Sequence, residues 1–410
     1  MARSSSGSDQ DGPVAPLTAG VAPSLLREMN QRLLLDRLFT AGPATRPQLA
    51  RTAGLSQPTV IAALDDLERA GLVTAGAGGG RRLGRPAKLY AANPTAGSVA
   101  GIDIGRGWLH LRVADLLGDT LSELSVRNTA KSAAALVELT ARSLEEAAEK
   151  AGLSAGSVTH TAIGSPGVLD PRRGGVRYAA NLPGWHQAGL AQALADRIGP
   201  AISVDNDANL AALAELTYGA ARGLKDVAYL TVGSGVGVGL VLNGRVYRGF
   251  TGAAGEVGYL PIGERSSTAR AGRAARGMLE EAVAADAVVR YARQAGLTGR
   301  ITAERVFELA HHGEPRALEA IAEEGRQLAL AVASIAALLD PELIVLGGRV
   351  GQNLDLLEPA ITAALREVTP MRPTLVAGEL GEDAVVRGAI ARGTILARET
   401  VFTDRGAASG

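Results

Sequence analysis

No cysteine occurs among the 410 residues, which excludes disulfides and thiolate metal sites and fits a reducing cytoplasm. Aromatic residues make up only 3% of the chain, so its cores must be aliphatic. The formal net charge is zero, and it excludes nothing until it is divided along the chain. Apolar runs such as Leu328 to Leu339 are too short to span a bilayer. The opening MARSSSGSDQDGPVAP lacks the apolar centre of a secretory signal, and the expected location is the cytoplasm. Hydrophobic residues, at 46%, are ample for the two or three domains that this length implies.

Residues 1–23 are Ser, Gly, Asp and Pro with little to bury and read as a flexible tail. From Ser24 the pattern changes. Leu25, Leu26, Met29, Leu33, Leu34 and Leu38 recur at helical spacing, predicting a first amphipathic helix. After Gly42-Pro43, Thr45 can cap a second helix that turns Leu49 and Ala50 inward and stops near Gly54. Ser56 can cap a third, with Pro58 tolerated in its opening turn. Val60, Leu64 and Leu67 form its packing stripe. Ser56, Gln57, Thr59 and Ala63 are read on the opposite face, where small and amide side chains can approach base edges. The glycines around Arg81, Arg82 and Arg85, with Lys88 opening a returning strand, suggest a β-hairpin wing suited to a minor groove. Between Ser24 and Ala92 ten basic residues face five acidic ones, a net of +5, which puts positive charge where phosphate contacts are needed. Residues 24–92 therefore read as a winged helix-turn-helix with double-stranded DNA as partner. A helical protein-binding adaptor is the plainer alternative.

From Val99 strands alternate with helices and glycine turns, an α/β pattern. In DNDANLAALAEL, Asp205, Asn206 and Asp207 sit at a strand-to-helix junction, where ligand sites of α/β folds lie. One carboxylate there could act as a general base, or these residues could simply cap the helix. VGSGVGVGLVLNG places glycines at 233, 235, 237 and 239, able to approach a phosphate or to pack closely against a neighbour. Glu256 in GAAGEVGY is suited to two sugar hydroxyls, or is an exposed loop acid. Of the histidines, His311 and His312 read as a helix end, while His110, His160 and His186 are scattered, and no metal site is expected.

Seven motifs in order, GIDIG, GSPGVLD, NLPGW, DNDANLAALAE, VGSGVGVGLVLNG, GAAGEVGYLPIG and DPELIVLGG, make residues from about Val99 to Glu399 resemble the ROK family (repressors, open reading frames and kinases). The resemblance implies a two-lobed, actin-like ATPase (ribonuclease H-like) α/β fold, here preceded by the α+β winged helix-turn-helix. It implies a small lobe over 93–207 to which a helix at 383–399 returns, a large lobe over 208–382, and a tail at 400–410. It further implies that Asn181, Asn206, Asp207, Glu256, Glu280 and, at a histidine position, Tyr259 bind sugar, with Asp207 the base if the protein is a kinase. Asp103, Gly105, Gly233, Ser234, Gly235, Gly347 and Gly348 would flank a nucleotide.

The chain departs from the family in two places. The kinases' D-x-G-G-T turn reads here Asp103-Ile104-Gly105-Arg106-Gly107-Trp108, without the threonine and with an arginine where backbone would meet phosphate. That reads as the relic of an ATP site. Relatives also commonly bind zinc through the histidine of GEIGH and three cysteines, and this chain has Tyr259, Ala271, Arg273 and Met278 at those positions. No zinc is expected and no cofactor is required, Mg-ATP entering only under the kinase alternative. The function read from these residues is a DNA-binding, sugar-responsive regulator, a repressor of carbohydrate genes that senses a sugar or sugar phosphate and works as a homodimer or dimer of dimers. The alternative is an ATP-dependent hexose-type kinase with an appended DNA-binding domain.

Overall fold

A computed structural model describes residues 23–77, 88–170, 175–177, 189–199, 201–262 and 277–406. Residues up to Asn93 together with Phe402 onward form one compact unit, and Pro94–Val401 form a second.

The first unit opens with α1 (Pro23–Ala41), β1 (Ala44–Thr45), α2 (Arg46–Ala53) and α3 (Gln57–Arg69), followed by β2 (Val73–Ala77) and β3 (Lys88–Ala92). The strands make an antiparallel sheet in the order β1-β3-β2. Thr45 and Gln48 form a capping box at the start of α2, and Gly54 ends that helix in the left-handed conformation at φ 67°, as glycine allows. Leu34, Leu35, Leu38, Val60, Leu64, Leu67 and Tyr90 fill the core. Asp66 pins α1 to α3, accepting Arg27 at 2.7 Å, Gln31 at 2.8 Å and Arg69 at 3.0 Å. Two expectations fail here. Leu25, Leu26 and Met29 are 48%, 48% and 56% exposed, because α1 contributes to the core through its second half. Ala63 is buried: it lies three residues after Val60 and four before Leu67, so the helical period places it on the packing stripe.

In the second unit β4 (Ser98–Ile104), β5 (Trp108–Asp115) and β6 (Thr120–Arg127) form a meander. It is followed by α4 (Ala133–Lys150), β7 (His160–Ser165), the hairpin β8 (Val168–Asp170) and β9 (Gly175–Arg177), α5 (Leu190–Ile198) and β10 (Ile202–Asn206). After α6 (Asp207–Tyr218) the plan repeats with the meander β11 (Val227–Val232), β12 (Val236–Leu242) and β13 (Arg245–Tyr247). Then come α7 (Met278–Val283), α8 (Ala285–Gln294), α9 (Ala303–His311), α10 (Pro315–Leu339), β14 (Leu343–Gly347), α11 (Gly348–Gly351), α12 (Leu354–Val368), β15 (Leu375–Ala377) and α13 (Ala384–Gly406). The two five-stranded sheets run β10-β7-β4-β5-β6 and β13-β12-β11-β14-β15. In each, a meander is extended from its first strand by two parallel strands, which is one topology used twice.

The helix that follows each sheet packs on the other. A Cβ on Gly239 of β12 would collide with the Ala208 carbonyl of α6, and one on Gly164 of β7 would come within 2.6 Å of Val385 in α13. Glycine is what permits these approaches. The helix α13 runs to Gly406 with Val401 and Phe402 buried, so residues 400–406 are helix and not the expected tail. The Arg32 guanidinium lies 4.7 Å from the centre of the Phe402 ring.

Candidate functional site

The first candidate surface is the start of α3. Ser56 caps the helix, its hydroxyl accepting the Thr59 N–H at 3.3 Å. Ser56 and Gln57 are exposed and Thr59 is half-buried. One turn on, Ile61 and Ala62 are also exposed; the period that buries Ala63 puts them outward, a signal available in the sequence and overlooked. Lys88, at the start of β3, is engaged by Glu68 at 3.0 Å and lies over the Tyr90 ring, so part of its charge is already balanced. Arg81, Arg82 and Arg85 lie outside the described residues.

The second candidate is built where β10 gives way to α6. Asn206 is the N-cap, its side-chain oxygen accepting Asn209 N–H at 3.2 Å, while its amide donates to the Gly167 carbonyl at 3.1 Å. The capping alternative therefore describes Asn206 well. Asp205 is held by Arg248 and by the Asn206 N–H, which leaves Asp207 as the carboxylate able to take a proton. Burial pushes Asp207 up to about 6, against bonds from backbone N–H groups that pull it down. Asp103, at the end of β4, is raised to about 7 by burial and then by the Asp207 charge. Glu256 follows Gly255, a residue at φ 91° with no room for a Cβ against the Val238 carbonyl. Burial raises Glu256 to about 7, with Asp207 and Glu280 adding to the shift. Glu280 lies beside Gly235 and Gly258, where added Cβ atoms would stand 3.5 and 3.4 Å from its Oε2.

Asp103 and Glu256 thus both feel the Asp207 charge, and Glu256 that of Glu280 as well, a coupling of buried acids of the kind found at ligand sites. Tyr259, 46% exposed, closes the short turn beside Gly258. Asn181 lies outside the described residues. Glycines 237 and 239 turn out to serve the packing of α6 onto β12, whereas Gly233, Ser234 and Gly235 form the turn between β11 and β12.

Duplicated sheets of this topology, with crossed helices between them and acids at the junction, define the actin-like ATPase fold. Residues 99–393 match the ROK family profile, and the chain belongs to that family. The xylose repressor of Caldicellulosiruptor bescii is 26% identical over 389 residues, covering 90% of this chain and 96% of its own length. The glucokinase of Thermotoga maritima is 32% identical over 251 residues, covering 56% of this chain and 77% of its own. A ROK transcriptional regulator described as a homologue of the E. coli MLC protein shares the fold, with a TM-score of 0.75 at 24% identity over 93% of this chain and 98% of its own. The ROK glucokinase of Streptomyces griseus, solved with glucose and AMPPNP, has a TM-score of 0.62 at 28% identity over 72% and 99%.

Two of the residues that the resemblance assigns to a nucleotide have their N–H groups paired within their own hairpins. Gly105 N–H donates to the Trp108 carbonyl at 2.9 Å, and the Asn128 amide closes on the Gly105 carbonyl at 2.8 Å. Gly233 N–H donates to the Gly235 carbonyl at 2.9 Å. A Cβ on Gly347 would strike the Tyr229 hydroxyl. Ser234, in the turn between β11 and β12, is exposed.

For zinc, Tyr259 and Met278 offer none of the usual ligands, and Ala271 and Arg273 lie outside the described residues. Among the described residues no three His, Asp or Glu side chains form a group that could hold a metal. The helix α7 that carries Glu280 is held by α8: the Tyr291 hydroxyl donates to the Ala282 carbonyl at 2.7 Å and Arg290 to the Glu281 carbonyl at 3.0 Å, while α8 is itself fixed by Ala285 N–H donating to the Gly233 carbonyl at 2.7 Å.

Proposed function

We propose that this ROK protein is a sugar-responsive, DNA-binding transcription regulator, a repressor of carbohydrate genes. The carrying observation is a set of charge-coupled acids, Asp207 acting on Asp103 and on Glu256, and Glu280 acting on Glu256, with Glu280 set against the Gly235 and Gly258 turns. Such a cluster offers acceptors for sugar hydroxyls, while the Asp103–Trp108 turn departs from the D-x-G-G-T pattern of the family's kinases. Alignment with a xylose repressor over 90% of the chain, helix-turn-helix included, supports the reading. A sensor needs only different sugar affinities in two states, not catalysis. The DNA partner would meet Ser56, Gln57 and Thr59 at the start of α3, with Arg81, Arg82, Arg85 and Lys88 contributing from the wing, and a two-half-site operator calls for a dimer.

The kinase alternative draws support from Asp207, a base poised near neutral pH, and from the glucokinase likeness. Calorimetric titration of the full chain with D-xylose and D-glucose, with and without Mg-ATP, separates the two. The sensor reading expects sugar binding that is indifferent to Mg-ATP and releases operator DNA, with no ADP formed. ADP appearing in proportion to sugar, and abolished in Asp207→Asn, would replace it with the kinase.

A further inference from the structure

Asp205 is the penultimate residue of β10 in the first sheet, immediately before the Asn206–Asp207 corner. Arg248 follows β13, the edge strand of the second sheet, and precedes the turn that carries Glu256. The Arg248 Nε donates to both Asp205 oxygens, at 3.3 and 3.2 Å, and a terminal guanidinium nitrogen donates to Oδ2 as well. Asp205 Oδ1 also accepts the Asn206 N–H at 3.0 Å, tying the carboxylate to the residue that starts the corner.

On the other side, the Arg248 carbonyl accepts Ala254 N–H at 3.1 Å, and Glu256 N–H donates to Ala253 at 3.4 Å. The loop is thereby closed immediately before Glu256, and Val238 N–H fastens the Gly255 carbonyl to β12 at 2.8 Å. Ordinary surface ion pairs contribute little. This one differs in geometry and place: it is forked, its Asp205 side chain is only 13% exposed, and it joins positions 43 residues apart on different sheets. Forked guanidinium–carboxylate pairs fix orientation as well as distance.

We propose that the Asp205–Arg248 pair is a strut that holds the Glu256 turn against the Asn206–Asp207 corner, so that ligand groups from both sheets face one sugar ring. The proposal rests on the sugar-pocket reading, and both residues are positioning residues that need not touch the ligand. Loss of either partner frees the same loop, so the two substitutions are not additive.

The test compares full-length wild type with Asp205→Asn, Arg248→Met, Arg248→Lys and the Asp205→Asn/Arg248→Met double variant. Hydrogen–deuterium exchange is followed over residues 249–258, alongside calorimetry with D-xylose and D-glucose. Exchange in that segment is expected to rise about tenfold in each single variant and no further in the double. Arg248→Lys, which keeps the charge without the fork, is expected to fall between wild type and Arg248→Met. Sugar affinity should fall in the same order. Unchanged exchange in Arg248→Met, additive effects in the double, or a rise spread over the whole chain would each overturn the strut. If wild type binds neither sugar while exchange responds as expected, the strut stands and the sugar-pocket reading loses its support. If both sugars bind wild type and Arg248→Met equally, with exchange unmoved, the strut falls and the pocket stands.

Discussion

Asp207 and Glu256 carry an electrostatic load that can be read out by pH. Both have folded-state pKa values raised above the ordinary carboxylate range, to about 6 and about 7. The folded protein therefore binds more protons than the unfolded chain between roughly pH 4 and 7, and its stability falls as pH rises through that window. Removing one charge should relieve this. Glu256→Gln is expected to melt about 2–4 °C above wild type at pH 8 and level with it at pH 4, while losing sugar affinity. Thermal scans of both proteins across pH 4–8 check the sign: a variant less stable than wild type at pH 8 would mean that the Glu256 charge is compensated rather than repelled.

Among the elements, α3 and α6 show two kinds of dependence on single residues. Ser56→Ala removes the cap of α3 and should cost the first unit about 1 kcal/mol, measurable by urea unfolding. Gly239→Ala places a methyl against the Ala208 carbonyl, and the overpacking should cost about 1–3 kcal/mol and displace α6 with the acids at its start. Wild-type stability and sugar binding in Gly239→Ala would show that β12 can yield. The capped helices were legible in the sequence because Thr45, Ser56 and the Val60–Leu64–Leu67 stripe act locally. The strand-to-helix junction at Asp205–Asp207 was legible because a strand end and a helix start are both local patterns. The repetition of one sheet topology was not, since register and strand order are set by long-range pairing. Nor was the Asp205–Arg248 contact, because nothing local signals that two residues 43 positions apart will meet. The outward lean of Leu25, Leu26 and Met29 escaped because helical spacing gives a face but not what covers it.

For the molecule as a whole, charge is divided so that residues 24–92 hold a net +5 and the remainder −5. Duplex binding should therefore weaken steeply with salt. On an operator selected from a random duplex pool, Arg85→Ala is expected to lower affinity and reduce the salt slope by about one, leaving sugar affinity unchanged. An unaltered slope would remove Arg85 from the DNA contacts.

The gathering of Asp103, Asp207, Glu256 and Glu280 also bears on which chemical form of sugar the pocket tolerates. A phosphate monoester brings a charge of about −1.5 to −2 near neutral pH. Carboxyl groups raised by burial, and at Asp103 and Glu256 by neighbouring carboxylates as well, would admit it only by taking up protons as it enters, whereas a neutral sugar makes no such demand. Selectivity of this kind needs no steric gate. It would tune the protein to unmodified sugar, the form that exists before any phosphorylating enzyme has acted on it.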